Sequence, residues 1–473
     1  MTSRLAKLKK DWMLRGWTDL PLALVNWTTG EQIELTKKGF YVAEACDGRS
    51  DFGSLAFFPD HLAVLDKLIE KGIAEPCDEG DGIDPRQRYR RAENPRLSAL
   101  QWAITGLCNL NCRHCYMESP SGRYGELPTE DIMRLIEQFE DANVLGVSLT
   151  GGEPFLRKDL LTILDTLAQK RIAVSQIFTN GLLVTDEALR SIKGLDLSPD
   201  FQVSFDGCGA HDQMRGTKGI EQGVVEAIHR ARAAGFQVVV STCLDKTNRD
   251  RMGDTYDVLK GMGIQSWRVS VPQETGNWKG TTTALSLEEE AETYASLARR
   301  WLADGRPFRI ELGAFFKGNP PDLPLEPEAR YAPESYDCGA CRQRPYLMPD
   351  GTLLPCPGYT DTHLQNQMPN LLKQDLSRAW TESPLRSILN MKKGDLLARN
   401  KECAACEWFP NCGMGCRTFA LVESGDLMAK DPIACAMWKR EHKKRFRELA
   451  GLGVPLANRA NKSRPRIAQQ LRR

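Results

Sequence analysis

Six short apolar runs, separated by stretches with helical periodicity, occupy residues 98–315 of the 473-residue chain. The intervening stretches include PTEDIMRLIEQFEDA and RKDLLTILDTLAQK, in which apolar residues recur every three or four positions. Strands that alternate with helices pair in parallel, because each helix carries the chain back to the same end of the sheet. The sequence therefore predicts either an open parallel sheet or an incomplete barrel, with functional residues after the carboxyl ends of the strands. The six predicted strands are ALQWAIT, LGVSLT, IAVSQIFT, FQVSF, FQVVVST and SWRVSV.

The composition is that of a soluble globular protein, with 41% hydrophobic and 26% charged residues. The 63 basic residues nearly cancel the 62 acidic ones, which argues against a globally basic nucleic-acid binder. No apolar run is long enough to cross a bilayer, and the N-terminus MTSRLAKLKKDWMLRG lacks the apolar core of a signal peptide. We therefore expect a cytoplasmic enzyme of two or three domains with no membrane association.

Fifteen cysteines indicate metal or cluster ligation, because disulfides are rare in the reducing cytoplasm. Eleven of them fall in three groups, at 108–115, 338–356 and 403–435. The other four are expected to be small buried hydrophobic residues: Cys46, Cys77, Cys208 and Cys243.

The first group lies in GLCNLNCRHCY, directly after the first predicted strand. Its three thiolates, Cys108, Cys112 and Cys115, can hold three irons of a [4Fe–4S] cube and leave the fourth iron open to a ligand that is not protein. The spacing alone also permits a partial zinc site. Motifs at the ends of the later strands favour the cluster.

The spacing Cys-x3-Cys-x2-Cys, with His114 before the third cysteine, resembles the signature of radical S-adenosylmethionine (SAM) enzymes. The resemblance covers about residues 98–315 and implies a partial (β/α)6 barrel. It also implies that the open iron chelates SAM, whose reductive cleavage gives a 5′-deoxyadenosyl radical that abstracts a substrate hydrogen.

Three further motifs at strand ends strengthen this resemblance. LTGGEP is similar to the family's motif for the SAM amino group; its glycines allow the backbone to approach a ligand closely, and Glu153 offers a carboxylate to an ammonium. FTNG ends the third predicted strand, and SFDGCGAHDQMRGTKG matches positions that bind the ribose and carboxylate of SAM in related enzymes. The SAM contacts implied are Gly151, Gly152, Glu153, Pro154, Asn180, Ser204, Asp206 and Arg215.

The two later cysteine groups resemble the SPASM extension of radical SAM enzymes. Their spacing is Cys-x2-Cys-x9-Gly-x4-Cys, a gap, Cys-x2-Cys-x5-Cys-x3-Cys and a last cysteine. The resemblance implies two auxiliary [4Fe–4S] clusters, and so three clusters in all. The nearer auxiliary cluster would be held by Cys338, Cys341, Cys356 and Cys416, and the outer one by Cys403, Cys406, Cys412 and Cys435.

Two questions about these cysteines stay open in the sequence. Either Cys338 or Cys341 alone satisfies the first spacing, so the nearer cluster could have an iron open to a substrate thiolate. Full ligation would instead suggest an electron conduit. The Cys-x2-Cys pairs by themselves also permit two structural zinc sites.

Residues 1–85 predict a small winged-helix-like domain. LALVNWTTGEQIELT predicts a hairpin, and PDHLAVLDKLIEKGIAEP a helix that begins near Pro59 and stops at Gly72 before a short strand. This layout resembles the leader-binding domain of peptide maturases, the RiPP recognition element, which takes a leader peptide as an added strand. A winged-helix DNA-binding module is the alternative, although the segment carries few basic residues at helical spacing.

The predicted fold is therefore α/β, a partial (β/α)6 TIM-type barrel with an N-terminal winged-helix-like domain and a C-terminal Cys-rich SPASM domain. The predicted segments are the leader-binding domain at 1–85, a linker at 86–97, the radical SAM core at 98–315, the SPASM domain at 330–445 and a basic tail at 446–473.

The resemblance implies an enzyme that binds a ribosomal precursor peptide by its leader and modifies the core peptide by radical chemistry. We expect a thioether cross-link between a cysteine sulfur and a carbon, as in sactipeptide and ranthipeptide maturases. The alternatives are carbon–carbon or carbon–oxygen cross-linking, epimerisation, a sulfatase-type protein maturase and a non-enzymatic iron–sulfur regulator. Epimerisation needs a hydrogen donor, for which Cys208 is the catalytic candidate; a passive loop cysteine is the other interpretation. The expected partners are the precursor peptide and a one-electron donor such as flavodoxin or ferredoxin, with no nucleic acid.

Overall fold

The computed structural model describes residues 4–54, 56–119, 121–324 and 331–452. Within these ranges the strands form a two-stranded and a four-stranded sheet near the N-terminus and a ten-stranded sheet that contains the barrel. The largest cluster of buried hydrophobic side chains surrounds the ten-stranded sheet, and a second cluster fills the N-terminal domain. Across the same ranges, no helix combines the length and the apolar character needed to cross a membrane.

The N-terminal domain contains the predicted hairpin and helices. Its elements are β1 Ala6–Leu8, β2 Trp12–Gly16, β3 Ala23–Asn26, β4 Gln32–Glu34, α1 Lys37–Ala45, α2 Pro59–Glu70, β5 Ala74–Pro76 and β6 Arg90–Arg91. β3 and β4 pair antiparallel, as the alternation in the sequence predicts. α1 begins after Thr36, whose side chain accepts a hydrogen bond from the Gly39 backbone N–H. β5 returns to pair with β1 as a small wing.

The segment predicted as a linker, 86–97, contains a strand of the N-terminal sheet. β6 pairs in parallel with β2, which gives the order β4-β3-β2-β6. The buried guanidinium of Arg15 holds this segment by donating to the carbonyl oxygens of Arg86 and Arg88, 2.9 and 3.1 Å away. The structure differs from the prediction because backbone carbonyls of this segment accept hydrogen bonds from Arg15, which lies more than seventy residues earlier in the chain.

The barrel consists of seven neighbouring parallel strands, six of them at the predicted positions. They are β7 Ala99–Ala103, β8 Gly146–Thr150, β9 Ala173–Thr179, β10 Asp200–Ser204, β11 Val238–Cys243, β12 Ser266–Ser270 and β13 Arg309–Leu312. Each pairs with the next in chain order, and β14 Phe316–Gly318 adds antiparallel to β13. The helices between them are α3 Thr129–Asp141, α4 Leu160–Gln169, α5 Asp186–Gly194, α6 His211–Arg215, α7 Glu221–Ala233, α8 Met252–Gly261 and α9 Leu287–Ala303. The parallel sheet predicted from the alternation and the partial barrel implied by the resemblance are confirmed, with β13 as a parallel strand beyond the six predicted.

The C-terminal region begins by extending the barrel sheet. β15 Tyr346–Leu347 pairs in parallel with β7, and β16 Leu353–Leu354 pairs antiparallel with β15. These residues are buried in the same hydrophobic cluster as the barrel. The region is otherwise made of short helices: α10 Gly339–Gln343, α11 Leu376–Glu382, α12 Pro384–Asn390, α13 Lys393–Arg399, α14 Lys401–Ala404, α15 Phe409–Cys412, α16 Arg417–Ser424, α17 Pro432–Lys439 and α18 His442–Leu449.

α18 occupies the start of the segment predicted as a basic tail, 446–473. Phe446 on this helix is 0% exposed, and its ring packs against that of Phe315 with 5.6 Å between centroids. The structure therefore differs from the prediction at this end, because one aromatic side chain among basic residues anchors a further helix on the barrel. Residues 453–473 of the predicted tail lie outside the described residues.

Candidate active site

The loop after β7 carries the first cysteine group to the carboxyl end of the sheet. The side chain of Asn277 donates to the Cys112 carbonyl at 3.1 Å, and its backbone N–H donates to the Cys115 carbonyl at 3.0 Å. Gly276 has a φ of +53°, and a Cβ at that position would lie 2.3 Å from the Cys115 oxygen. The conformation of the cysteine loop therefore depends on Gly276 and Asn277, neither of which sequence reasoning had singled out.

Burial controls the protonation of these thiols. It raises the pKa of Cys108 to about 12 and also raises that of Cys112, although the Arg215 guanidinium opposes the second shift. When ionised, Cys112 and Cys115 raise the pKa of Cys108 further, so the three side chains lie close enough to interact. Such thiols keep their protons near neutral pH, and a metal must displace those protons to bind thiolates. The donor type and the proximity of the three groups fit an iron–sulfur cluster.

Gly151 and Gly152 pack against the backbone that leads into the cysteine loop. A Cβ on Gly151, whose φ is +145°, would lie 2.3 Å from the Thr105 oxygen, and one on Gly152 would lie 2.1 Å from the Leu107 oxygen. The backbone N–H of Gly152 donates to the Thr105 carbonyl at 2.8 Å. The glycines thus allow a close approach to the protein's own chain, which fixes the start of the cysteine loop. Their predicted approach to a ligand stays a prediction.

Glu153 is fully buried beside this loop. Its carboxylate accepts hydrogen bonds from the Asn180 N–H at 2.8 Å, from the Thr179 hydroxyl at 2.8 Å and from the Phe155 N–H at 3.2 Å. Burial outweighs these bonds and raises the pKa of Glu153 to about 7. The Asn180 amide also donates to the Asn109 side chain at 2.7 Å, which ties the end of β9 to the cysteine loop. Pro154, also buried, begins a short 3-10 turn directly after Glu153.

Asp206 and Arg215 form a buried bidentate ion pair, with Nε and Nη2 of the arginine 2.6 and 3.1 Å from the carboxylate oxygens. The remaining Nη1 lies 3.6 Å from the Cys112 Sγ. Burial alone would lower the pKa of Arg215, but the negative charges of Asp206 and Cys112 raise it above its ordinary value. Ser204 is the last residue of β10 and pairs with Ser241 of the neighbouring strand β11. Arg215, predicted as a ligand of the SAM carboxylate, is therefore engaged by a carboxylate of the protein and by the first cysteine group.

Cys243 lies next to this ion pair, whereas Cys208 does not. The Cys243 N–H donates to the Asp206 carboxylate at 2.9 Å. Burial raises the pKa of the Cys243 thiol, and the charges of Asp206, Arg215 and Cys112 also act on it. The Cys208 N–H donates instead to the Thr255 hydroxyl of α8 at 3.1 Å. Cys243, predicted to be a small buried residue, is the last residue of β11, at the carboxyl end of the sheet.

The four cysteines predicted for the nearer auxiliary cluster come together in the structure. Hydrogen bonds that the Cys341 thiol donates to the side chains of Cys338 and Cys356 raise the pKa of Cys341. Cys416 interacts with the charge of Cys356. Tyr359 lies among them, since its raised pKa reflects burial and the charges of Cys341, Cys356 and Cys416. Cys338 and Cys341 therefore both belong to the group of thiols that contains Cys356.

The four cysteines predicted for the outer cluster line one small cavity. The thiols of Cys403, Cys406, Cys412 and Cys435 share it with Trp408 and Trp438, whose rings stack with centroids 5.5 Å apart. Burial raises the pKa of Cys412 to about 11, and the charges of Cys435 and Cys403 contribute. The described residues thus form three separate groups of thiols, and Cys416 lies with Cys356 and not in the cavity lined by its sequence neighbour Cys412.

Sequence comparison gives a family for the barrel. Residues 102–259 match a model of the Radical SAM superfamily. The AdoMet-dependent heme synthase of Nitratidesulfovibrio vulgaris is 24% identical over 356 residues, which cover 72% of this chain and 92% of the synthase. The mycofactocin maturase MftC of Mycobacterium tuberculosis is 27% identical over 338 residues, which cover 70% of this chain and 81% of the maturase.

Solved structures share the fold over more of the chain. SuiB from Streptococcus suis, bound to its precursor peptide SuiA, aligns with a TM-score of 0.64 at 16% identity and covers 91% of this chain and 100% of that one. Native anSMEcpe with bound AdoMet aligns with a TM-score of 0.56 at 16% identity, covering 75% and 97% of the two chains. The predicted fold class, with a domain on either side of a partial barrel, is confirmed.

Proposed function

We propose that this chain, a radical SAM enzyme whose cofactors are a [4Fe–4S] cluster and SAM, binds a ribosomal precursor peptide by its leader and modifies the core peptide. The observation that carries the proposal is the fold match to SuiB, which extends over 91% of the chain and so includes residues beyond the barrel. SuiB is seen with its precursor peptide bound. MftC, a relative by sequence, is also a maturase.

The N-terminal sheet offers an edge for the leader. β4 is the last strand of the order β4-β3-β2-β6 in the described part of the chain. The Leu35 N–H donates to the Leu22 carbonyl and the Asn26 N–H donates to the Glu31 carbonyl, so every second residue of this hairpin bonds inward. Gln32 and Glu34 then direct their backbone groups toward the open edge, where an extended leader would add as a strand.

The first cluster would be held by Cys108, Cys112 and Cys115, and when bound with SAM it supplies a 5′-deoxyadenosyl radical for hydrogen abstraction. The chain's own residues fix this site. Gly151 and Gly152 hold the start of the cysteine loop, and Glu153 and Asn180 join it to β9. We assign the SAM contacts to the strand ends that carry these residues, namely Gly151, Gly152, Glu153, Pro154, Asn180, Ser204, Asp206 and Arg215.

Two auxiliary [4Fe–4S] clusters would complete the cofactor set, in the ligand sets named above. The contacts of Cys341 with both Cys338 and Cys356 support full ligation of the nearer cluster, and hence a role as an electron conduit. Two structural zinc sites are the alternative. Metal analysis of anaerobically purified protein distinguishes the two kinds of site. Clusters predict about four irons each, whereas structural zinc sites predict stoichiometric zinc.

A thioether between a cysteine sulfur and a carbon is the proposed product. Carbon–carbon or carbon–oxygen cross-linking is a related outcome, and epimerisation is a separate one that needs a hydrogen donor. The position of Cys243 beside Asp206 favours it over Cys208 for that donor. A cytoplasmic one-electron donor such as flavodoxin or ferredoxin would supply the electron for SAM cleavage.

A tetrapyrrole substrate is the second candidate function, because heme synthases stand beside the maturase among the curated relatives. By sequence, the synthase matches cover 72% of this chain and the MftC match covers 70%, whereas the fold match to SuiB covers 91%. The part of this chain that the synthase matches do not cover is long enough to include a leader-binding domain. A porphyrin substrate would not require such a domain. A porphyrin consumed with formation of 5′-deoxyadenosine, in the absence of peptide, would favour this second function.

The test is anaerobic co-production with a short precursor peptide encoded beside the gene, repeated in heavy water, with mass analysis of the peptide. Loss of a pair of hydrogens means oxidative cross-linking, and fragmentation then locates the bridge. Deuterium gain without such loss means epimerisation. An unmodified peptide, in a reaction that still yields 5′-deoxyadenosine, would contradict the proposal.

The role of β4 is tested separately with Glu34→Pro. Proline removes an N–H that points to the open edge and leaves the bonds of β4 to β3 in place. One lost backbone hydrogen bond of about 1–1.5 kcal/mol should weaken leader binding about fivefold to tenfold. Glu34→Ala, which keeps the N–H, is the matched control and should bind as the unsubstituted protein does.

A further inference from the structure

Basic side chains surround the opening of the outer thiol cavity. Lys430 and Lys439 line that cavity together with Cys403 and Cys435. Arg440 follows Lys439 at the end of α17, and both side chains are exposed. We call Lys430, Lys439 and Arg440 the basic face.

The charges of the basic face are only partly neutralised. Lys430 forms an ion pair with Glu402, whose pKa is lowered by that bond and by the charge of Lys439. In the described part of the chain, Lys439 and Arg440 form no ion pair with an acidic side chain. Glu407 and Glu441 are exposed acids close by in sequence, and Glu441 forms an ion pair with Lys444. The face therefore carries an excess of positive charge toward solvent, on a chain whose net charge is only +1.

The outer thiols lie close to this surface. Cys403, Cys406 and Cys435 are only partly buried, and every residue that lines their cavity comes from positions 402–439. The stacked rings of Trp408 and Trp438 form part of the cavity wall. A group held by these partly buried thiols would lie near the protein surface, where it could exchange electrons with another protein.

We propose that the basic face is the docking surface for an acidic one-electron carrier protein, a reduced flavodoxin or ferredoxin. This inference rests on the proposed function, since it needs a cluster at the outer thiols. On docking, the carrier is oxidised by one electron and the outer [4Fe–4S] group is reduced by one, with no proton or atom transferred. Complementary charge mainly accelerates encounter and selects the partner, so exposed unpaired cations beside the acceptor suit this task.

The primary test measures binding without turnover. Oxidised flavodoxin is titrated into the anaerobically purified full-length protein, and the Kd is determined by calorimetry at low and at high salt. The variant Lys439→Glu/Arg440→Glu reverses both unpaired charges, and Arg190→Glu/Lys193→Glu makes the same charge change at exposed positions of α5. We expect the Kd to rise about tenfold or more in the first variant, to stay within about twofold in the second, and to rise with salt in the unsubstituted protein.

A kinetic measurement separates docking from catalysis. The rate of 5′-deoxyadenosine formation is measured with reduced flavodoxin and with dithionite, a small reductant that needs no docking surface. The ratio of the two rates should fall about tenfold in Lys439→Glu/Arg440→Glu and not in the α5 control. Equal Kd values and equal rate ratios in the two variants would overturn the docking proposal. Failure of the unsubstituted protein to form 5′-deoxyadenosine with dithionite would instead contradict the proposed function, whatever flavodoxin binds.

Discussion

The buried ion pair between Arg215 and Asp206 leads to a quantitative prediction for the cluster-free protein. Arg215→Gln leaves the Asp206 carboxylate, which is 0% exposed, without the cation 2.6 Å away. Removing one partner of a buried pair costs about 3–5 kcal/mol, because the other charge stays buried. In a unit of barrel size 1 kcal/mol corresponds to about 2–4 °C, so the melting temperature should fall by about 6–20 °C.

A double-mutant cycle separates the ion pair from other effects of the substitution. Asp206→Asn/Arg215→Gln removes both charges, and it should recover most of the stability that Arg215→Gln loses. The measurement is differential scanning fluorimetry on anaerobic, chelator-treated protein, with the four proteins compared at one pH. An interaction energy of about 2 kcal/mol or more is expected. Additive losses, with the double variant melting lowest, would refute the assignment of the pair as the source of stability.

Three further predictions concern other positions. Burial raises the pKa of Glu290 from its ordinary 4.5 to about 7, so its stabilising contribution is fully present below pH 4.5 and is lost as pH rises through 7. Chelator-treated protein should therefore lose up to about 3 kcal/mol over that range relative to Glu290→Gln, and parallel pH–melting curves would contradict this. Gly152→Ala places a Cβ 2.1 Å from the Leu107 oxygen and should lower iron content by about one cluster, whereas Gly194→Ala, with nothing within 4 Å, should keep full iron content. If the peptide is epimerised, Cys243→Ala should abolish deuterium incorporation and Cys208→Ala should not; the reverse result would restore Cys208 as donor.

Much of the fold follows from local sequence pattern. The six barrel strands and the hairpin around Thr28 were found where alternation placed them, and α9 begins after Ser286, whose side chain accepts a hydrogen bond from the Glu289 N–H. These features depend on side chains within a few residues of each other, so a linear sequence contains the information. β6 and α18 were not predicted, because Arg15 and Phe315, which hold them, lie far away in the chain.

The candidate site divides in the same way. Cysteine spacing separated Cys108, Cys112 and Cys115 from the later cysteines, since ligands a few residues apart share one loop. The place of Cys416 beside Cys356, and not in the cavity of its sequence neighbour Cys412, came only from the family resemblance. The tasks of the other residues could not be inferred from spacing. The glycine pair contacts the chain's own backbone, Arg215 pairs with Asp206, and the Cys243 N–H donates to the Asp206 carboxylate.

The sequence by itself determined the chemistry available to this protein: a parallel barrel, three groups of thiols and a small domain before them. The tertiary structure decided which of those residues meet. It set the bonds of Arg215 to Asp206 and Cys112, and it left Lys439 and Arg440 exposed beside the outer thiols. The physical reason is that ligand type and periodicity are local properties of a chain, whereas burial, ion pairing and exposure depend on how distant strand ends and helices pack together.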